Sequence, residues 1–327
     1  MTGQMNLSDD TYRRKIKILN ISEQIFPYFF PKRMLLNYFE FVDSNPDIVF
    51  LPIINEEVEQ NPKPIEYWAK YLDLPVQHAI FHTIDEFSNQ TKFSSQAQMM
   101  CHQCRFVFGH QLPVDLDPQK FIPIMYPARV LPQNKLFQDL VEPNDIFFWG
   151  AYQKSPQYSL ESIPISLPVR DRKYRGTIIS IIEQLQIKYQ WTTDFKQIYY
   201  WQKNPARWGV MQRAYRNHMS LSKLCLAPFG FGYNSYRISE IFAARKVLFS
   251  SKIFNHVLVP EVGAWENEEI GFFFSDDCSD LENLLVTALS DEKRRKYMAQ
   301  NGRKFFEKHC TYKGLINTVY SAFIQGL

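Results

Sequence analysis

One stretch, residues 222–240, restricts the possible folds more than any other: Ser-Lys-Leu-Cys-Leu-Ala-Pro-Phe-Gly-Phe-Gly-Tyr-Asn-Ser-Tyr-Arg-Ile-Ser-Glu. Leu224, Cys225, Leu226 and Ala227 form a short apolar run suited to a buried strand, and the residues from Ser235 onward read as the first turns of a helix. Between them Gly230 and Gly232 give a loop whose backbone can approach a ligand closely. A strand that hands its carboxyl end to a Gly-rich loop and then to a helix is the repeating unit of parallel α/β sheets. It is also an anion site in outline, because the helix start offers free N–H groups and the positive end of its dipole. Arg237 adds a fork that matches phosphate oxygens, and Glu240, one turn further on, is placed to accept from sugar hydroxyls. An ordinary strand-to-helix turn has the same outline, so the loop alone does not decide between a ligand site and a connection.

The rest of the chain repeats the alternation. Residues 12–21 read as a first strand, 30–42 as an amphipathic helix, 48–54 as a buried strand, 64–72 as a helix, 78–84 as a strand, 94–104 as a helix and 105–109 as a strand. Residues 112–168 are rich in proline, with strand-like patches at 121–125 and 146–149. A second series opens near 166: residues 173–179 read as a strand and tight turn around Gly176, 180–188 as a helix, and 211–219 as another. Strands at 224–227, 247–249 and 271–274 alternate with a helix at 235–244, and helices at 280–289, 291–309 and 314–323 close the chain. A length of 327 residues suits two units, 1–165 and 166–327, with the last helix a candidate to pack back on the first.

Residues 222–240 resemble the C-terminal signature of the exostosin-like glycosyltransferases. There a Ser-Lys-Phe-Cys-Leu-x-Pro-x-Gly stretch runs into Ser-x-Arg-x-x-Glu and then an apolar strand, here Lys246-Val247-Leu248-Phe249-Ser250. The shared residues are Ser222, Lys223, Cys225, Leu226, Pro228, Gly230, Ser235, Arg237 and Glu240. A second stretch is similar to the family's N-terminal part: Asn45-Pro46 before an apolar run ending in Pro52, then Tyr67-Trp68, then His78 through Asp85. Gln77 and Ile84 depart from that pattern, at positions where the family commonly has Asp and His. Residues 289–303 also resemble the end of many GT-B glycosyltransferase C-terminal domains.

These resemblances imply an α/β chain of the GT-B class, two Rossmann-like domains facing across a cleft, with an N-terminal acceptor side and a C-terminal nucleotide-sugar side. They imply transfer of a sugar from a nucleotide-diphosphate donor, a UDP-sugar first, to a hydroxyl of a glycan or glycolipid. Donor contacts fall on Arg175, Gly176, Gly230, Gly232, Asn234, Ser235, Tyr236, Arg237 and Glu240, with Arg237 stabilising the departing diphosphate. Asp85, at the end of its strand, is the candidate base for the acceptor hydroxyl, with Glu86 and His110 as alternatives. Arg237 and the helix dipole take the place of a metal ion, so no metal and no further cofactor is expected. A GT-B shell that only binds or scaffolds, and a sugar-nucleotide epimerase or hydrolase on the same fold, are the competing classes.

Composition narrows the partners. A net charge of +3, with basic residues in short clusters such as Lys293-Arg294-Arg295-Lys296, is too mild for a nucleic-acid binder. The same clusters allow peripheral attraction to anionic lipid. No window approaches 18 consecutive apolar residues, and residues 1–20 lack the apolar core of a signal peptide, which places the chain in the cytoplasm, with the inner face of a membrane within reach. Five cysteines then read as reduced thiols. His78, His82, Cys101 and Cys104 have zinc-ligand chemistry, but His78 and His82, on one strand, would stand about 13 Å apart.

Overall fold

The structure, a computed structural model, describes residues 15–20, 36–53, 72–82, 99–109, 117–125, 141–150, 152, 172–198, 205–228, 236–252, 269–275 and 277–326. Two parallel sheets account for the strands among them. The first holds β1 (Ile16–Asn20), β2 (Phe39–Phe41), β3 (Ile48–Ile53), β4 (Gln77–His82), β5 (Phe106–Gly109) and β6 (Phe121–Pro123), in the order β2-β1-β3-β4-β5-β6. Every pairing in it is parallel. Runs such as Ile48-Val49-Phe50-Leu51 are apolar on both faces, as a parallel sheet covered on both sides requires.

The second sheet holds β7 (Asn144–Gly150), β8 (Thr193–Gln197), β9 (Ser222–Leu226), β10 (Val247–Ser251) and β11 (Gly271–Phe274), in the order β11-β10-β9-β7-β8, again all parallel. Its helices are α1 (Arg172–Tyr189), α2 (Pro205–Ser220), α3 (Tyr236–Ala243), α4 (Leu281–Ser290) and α5 (Glu292–His309). Side chains alternate along β7 and so sort the helices. Phe147 and Trp149 face a core built with α2, α3 and the end of α5, whereas Ile146 and Phe148 face one built with α1, α4 and Met298. Helices on both faces make the sheet doubly wound. The chain is thus α/β with two Rossmann-like sheets, the composition of the GT-B class.

The last helix, α6 (Tyr312–Gly326), follows the second sheet in sequence but packs on the first. Phe323 sits fully buried among Phe39, Phe50, Phe106 and Phe108, with ring centroids 5.5 to 6.4 Å away. Gln77 donates to the carbonyl of Gly326 at 3.0 Å.

Four elements differ from the sequence reading. Residues 39–41, read inside a helix, form β2, whose short period-two pattern is masked by the apolar residues before it. Residues 173–179, read as strand and turn, belong to α1, because Tyr174, Ile178, Ile181, Ile182 and Leu185 make a buried stripe at helical spacing. The strand that opens the second sheet is β7, so that sheet begins at Asn144, ahead of the boundary expected at 166. β8 carries Thr, Asp, Lys and Gln on a partly exposed edge and gives no apolar signal to read.

Candidate functional site

In a doubly wound sheet, loops leaving neighbouring strands on opposite sides open a crevice beyond the strand carboxyl ends, at the point where strand order reverses. In the second sheet that point lies between β7 and β9, since β8 was laid down on the far side of β7. The carboxyl end of β7 is Trp149-Gly150, and that of β9 leads through Ala227 and Pro228 towards α3.

α3 is only eight residues long and owes its place to packing. Ile238, Ile241 and Phe242 are fully buried against the sheet. Phe242 meets Phe305 of α5 edge-on at 5.7 Å, and Arg303 of α5 donates to the carbonyl of Ala243 at 2.7 Å. A cation at the carboxyl end of the helix is also favourable to its dipole. No acidic side chain occupies the first turn, which leaves the N-terminal end of α3 electropositive.

Arg237, the second residue of α3, reaches back across the reversal to β7. Its Nη2 donates to the Trp149 carbonyl at 2.7 Å, and its guanidinium carbon lies 4.5 Å from the centroid of the Phe148 ring. Its Nε is buried without a hydrogen-bond partner. Gly150 makes this seat possible: a Cβ there would stand 2.5 Å from Nη2 and 3.3 Å from the guanidinium carbon. Trp149 is itself pinned, its indole N–H donating to Asp194 at 2.9 Å and its ring lying 4.5 Å from His218.

Tyr215 of α2 and Glu240 complete the cluster. Tyr215 is hydrogen-bonded to both Arg237 and Glu240. Burial pushes the Glu240 carboxyl above its ordinary range, and Arg237, Arg216 and the Tyr215 hydroxyl pull it back only in part. Burial and the Glu240 charge likewise push the Tyr215 phenol up, so it stays protonated. Two arginines and one carboxylate leave a net positive site beside a helix start.

The remaining expected residues divide into two groups. Gly230, Gly232, Asn234, Ser235, Asp85, Glu86 and His110 lie outside the described residues, as does the side chain of Tyr236, which opens α3. Arg175 is partly buried in the first turn of α1, the helix that follows β7. Gly176, expected in a phosphate-approaching turn, is instead the fifth residue of that helix and buried. Only the first four N–H groups of a helix are free, so its amide is taken up by helical bonding. Sequence reasoning misses Gly150, Trp149, Tyr215 and Arg216. Gly150 had a signal, a glycine closing the apolar run Ile146-Phe147-Phe148-Trp149, but the others had none.

Cys101 and Cys104 are fully buried and His78 nearly so, while the side chain of His82 is outside the described residues. Burial pushes the Cys104 thiol up to about 12 and the Cys101 thiol higher still, with the Cys104 charge adding to it, which disfavours the thiolates zinc would need. Among the described residues no group of three or more His, Cys, Asp or Glu is arranged to hold a metal ion. Nor is any helix among them long and apolar enough to cross a membrane.

No protein-family model and no curated protein sequence matches the chain. Solved structures do. The fold is similar to S. aureus TarM in complex with fondaparinux, alpha-GlcNAc-glycerol and UDP, with a TM-score of 0.48 and 7% identity over 84% of this chain and 55% of TarM. It is similar to Anabaena HepE in complex with UDP and glucose, with a TM-score of 0.47 and 13% identity over 96% of this chain and 100% of HepE. Sucrose-phosphate synthase from Thermosynechococcus elongatus gives a TM-score of 0.46 and 12% identity over 86% of this chain and 73% of the synthase. This chain therefore spans little more than half the length of TarM, and at these identities the likeness is one of fold.

Proposed function

We propose that the chain is a glycosyltransferase that moves a sugar from a nucleotide-diphosphate donor, a UDP-sugar first, to a hydroxyl of a glycan or glycolipid. The observation that carries this reading is the seating of Arg237 at the strand-order reversal, with an unpartnered buried Nε, beside the amide groups that open α3. Such a cluster is suited to the charge that develops on a diphosphate as its bond to the sugar breaks. Arg237, the α3 amide groups and the 230–236 backbone hold the diphosphate. Glu240 accepts from ribose, and Arg175 contributes a further cation. Asp85 takes the acceptor's proton in an inverting reaction, with Glu86 and His110 as alternatives. The leaving group is neutralised by the protein itself, so turnover needs no divalent metal. A glycolipid acceptor would bring the chain to the cytoplasmic face of a membrane.

The test is turnover of UDP-sugars with and without acceptor, in the presence and absence of a chelator. Transfer that survives chelation supports the reading. Donor cleavage without acceptor favours a hydrolase, and no turnover despite UDP binding favours a scaffold. Loss of transfer on chelation, restored by Mn²⁺, overturns the metal-independent assignment. A melting panel with UDP, GDP, CMP and TDP identifies the nucleotide, since ligand at 100 times its Kd stabilises the native state by about 2.7 kcal/mol.

A further inference from the structure

Arg237 and Glu240 stand at opposite ends of the proposed ligand, one for diphosphate and one for ribose, and a single side chain touches both. Tyr215 hydrogen-bonds each of them. Valence fixes the direction of these bonds. A guanidinium only donates, an ionised carboxylate only accepts, and a phenol has one proton to give. Arg237 therefore donates to the Tyr215 oxygen, and the one Tyr215 O–H donates to Glu240. Because Nε of Arg237 has no partner, a terminal guanidinium nitrogen makes the link, next to the one that donates to Trp149.

The phenol is placed by β7. The Tyr215 ring meets Phe147 edge-on at 5.4 Å and Trp149 at 6.3 Å. The strand that fixes Tyr215 by its side chains thus also fixes Arg237 by its backbone. All three groups are held before any ligand arrives, and ordering one end of the chain orders the other.

We propose that Tyr215 is a positioning residue that couples the two ends of the site, so that a nucleoside diphosphate binds more tightly than its pyrophosphate and nucleoside parts would together predict. This rests on the reading of the site as one for a nucleotide diphosphate. In the empty site Glu240 is the counter-ion of Arg237 through Tyr215. A ribose hydroxyl donating into Glu240, and phosphate oxygens accepting from Arg237, extend that chain at both ends without breaking it.

Calorimetry with UDP, uridine and inorganic pyrophosphate, on wild type and Tyr215→Phe, tests the coupling, with thermal melting to score the fold. Tyr215→Phe should weaken UDP by up to about tenfold, the scale of one lost hydrogen bond. It should weaken uridine and pyrophosphate each by a smaller factor, so that the excess of UDP over its parts shrinks. Equal weakening of UDP and pyrophosphate with uridine untouched would overturn the coupling, because Tyr215 would then serve Arg237 alone. A lowered melting temperature with all three affinities intact would reduce it to a packing residue. Should Tyr215→Phe not fold, Arg237→Lys and Glu240→Gln made singly and together provide the same reading in the native tyrosine background: non-additive losses for UDP support coupling, additive ones overturn it. If wild type binds UDP and the tyrosine is silent, only the coupling falls. If wild type binds none of the three probes, the nucleotide reading falls with it.

Discussion

Replacing Gly150 by alanine separates the seat of Arg237 from the arginine itself. The added methyl would stand 2.5 Å from Nη2 and 3.3 Å from the guanidinium carbon of Arg237, and 2.9 Å from Cζ of Phe148. Carbon atoms settle at about 3.5 to 4.0 Å, so the guanidinium must retreat by roughly 1 Å. The atoms in the way are ends of rotatable side chains, and Gly150 does not sit in the left-handed region that alanine avoids. The fold should therefore give way cheaply, at the low end of the overpacking range, about 1 kcal/mol. Function should not. The 2.7 Å bond to the Trp149 carbonyl and the stacking on Phe148 both hold the present pose and are both lost. A guanidinium driven off its seat forfeits a charge-assisted phosphate contact worth about 1.5 to 3 kcal/mol, or roughly ten- to a hundredfold in UDP affinity. That equals the loss expected from Arg237→Ala. Calorimetry with UDP on Gly150→Ala, Arg237→Ala and the double variant checks the route. In the Arg237→Ala background the methyl has no guanidinium to displace, so the second change should add little. Unchanged affinity in a folded Gly150→Ala protein, or an equal loss in both backgrounds, would refute the seat.

Three further outcomes follow from other parts of the molecule. Asp85→Asn should lower kcat by about 10²- to 10⁴-fold with donor affinity nearly intact, as expected for a lost general base, and a near-native kcat would shift the role to Glu86, His110 or a retaining route. Phe323→Ala should destabilise the first sheet's core by about 3 to 5 kcal/mol in denaturant unfolding, because the ring packs on four phenylalanines of that sheet, and a change below 1 kcal/mol would contradict the docking of α6. Glu240→Gln should gain stability relative to wild type as the pH is raised from about 4 to about 8. The native state holds the Glu240 proton more tightly than the unfolded chain does, so wild-type stability falls as pH rises from the ordinary carboxylate value towards the raised one, whereas glutamine has no proton to lose. Parallel melting curves for the two proteins across that range would refute the buried, raised carboxyl.

What the sequence discloses about this site follows from the range of the contacts involved. Arg237 and Glu240 are readable because their setting is local: strand, Gly-rich loop and helix start succeed one another within residues 222–240. Their partners are not. Trp149 meets Arg237 across 88 residues, and Tyr215 approaches from a helix whose apolar pattern gives no reason to single out one aromatic. The same distinction governs the elements. Buried central strands such as β3, β9 and β10 announce themselves as apolar runs, but β8 is a polar edge and β2 three residues long, so neither has a pattern of its own. A glycine within an apolar stretch reads as a turn, yet Gly176 costs its helix only about 1 kcal/mol, less than the burial of the Tyr174–Ile178–Leu185 stripe returns. Local pattern thus identifies which residues carry charge to the ligand, and strand order alone decides where they meet. The reversal between β7 and β9 is what brings a carbonyl from one unit, a guanidinium from the next and a phenol from the helix between them into one cluster. A change that moved the β7 strand end should therefore disable Arg237 as surely as a change at Arg237 itself, and Gly150 is the position where that claim is most exposed.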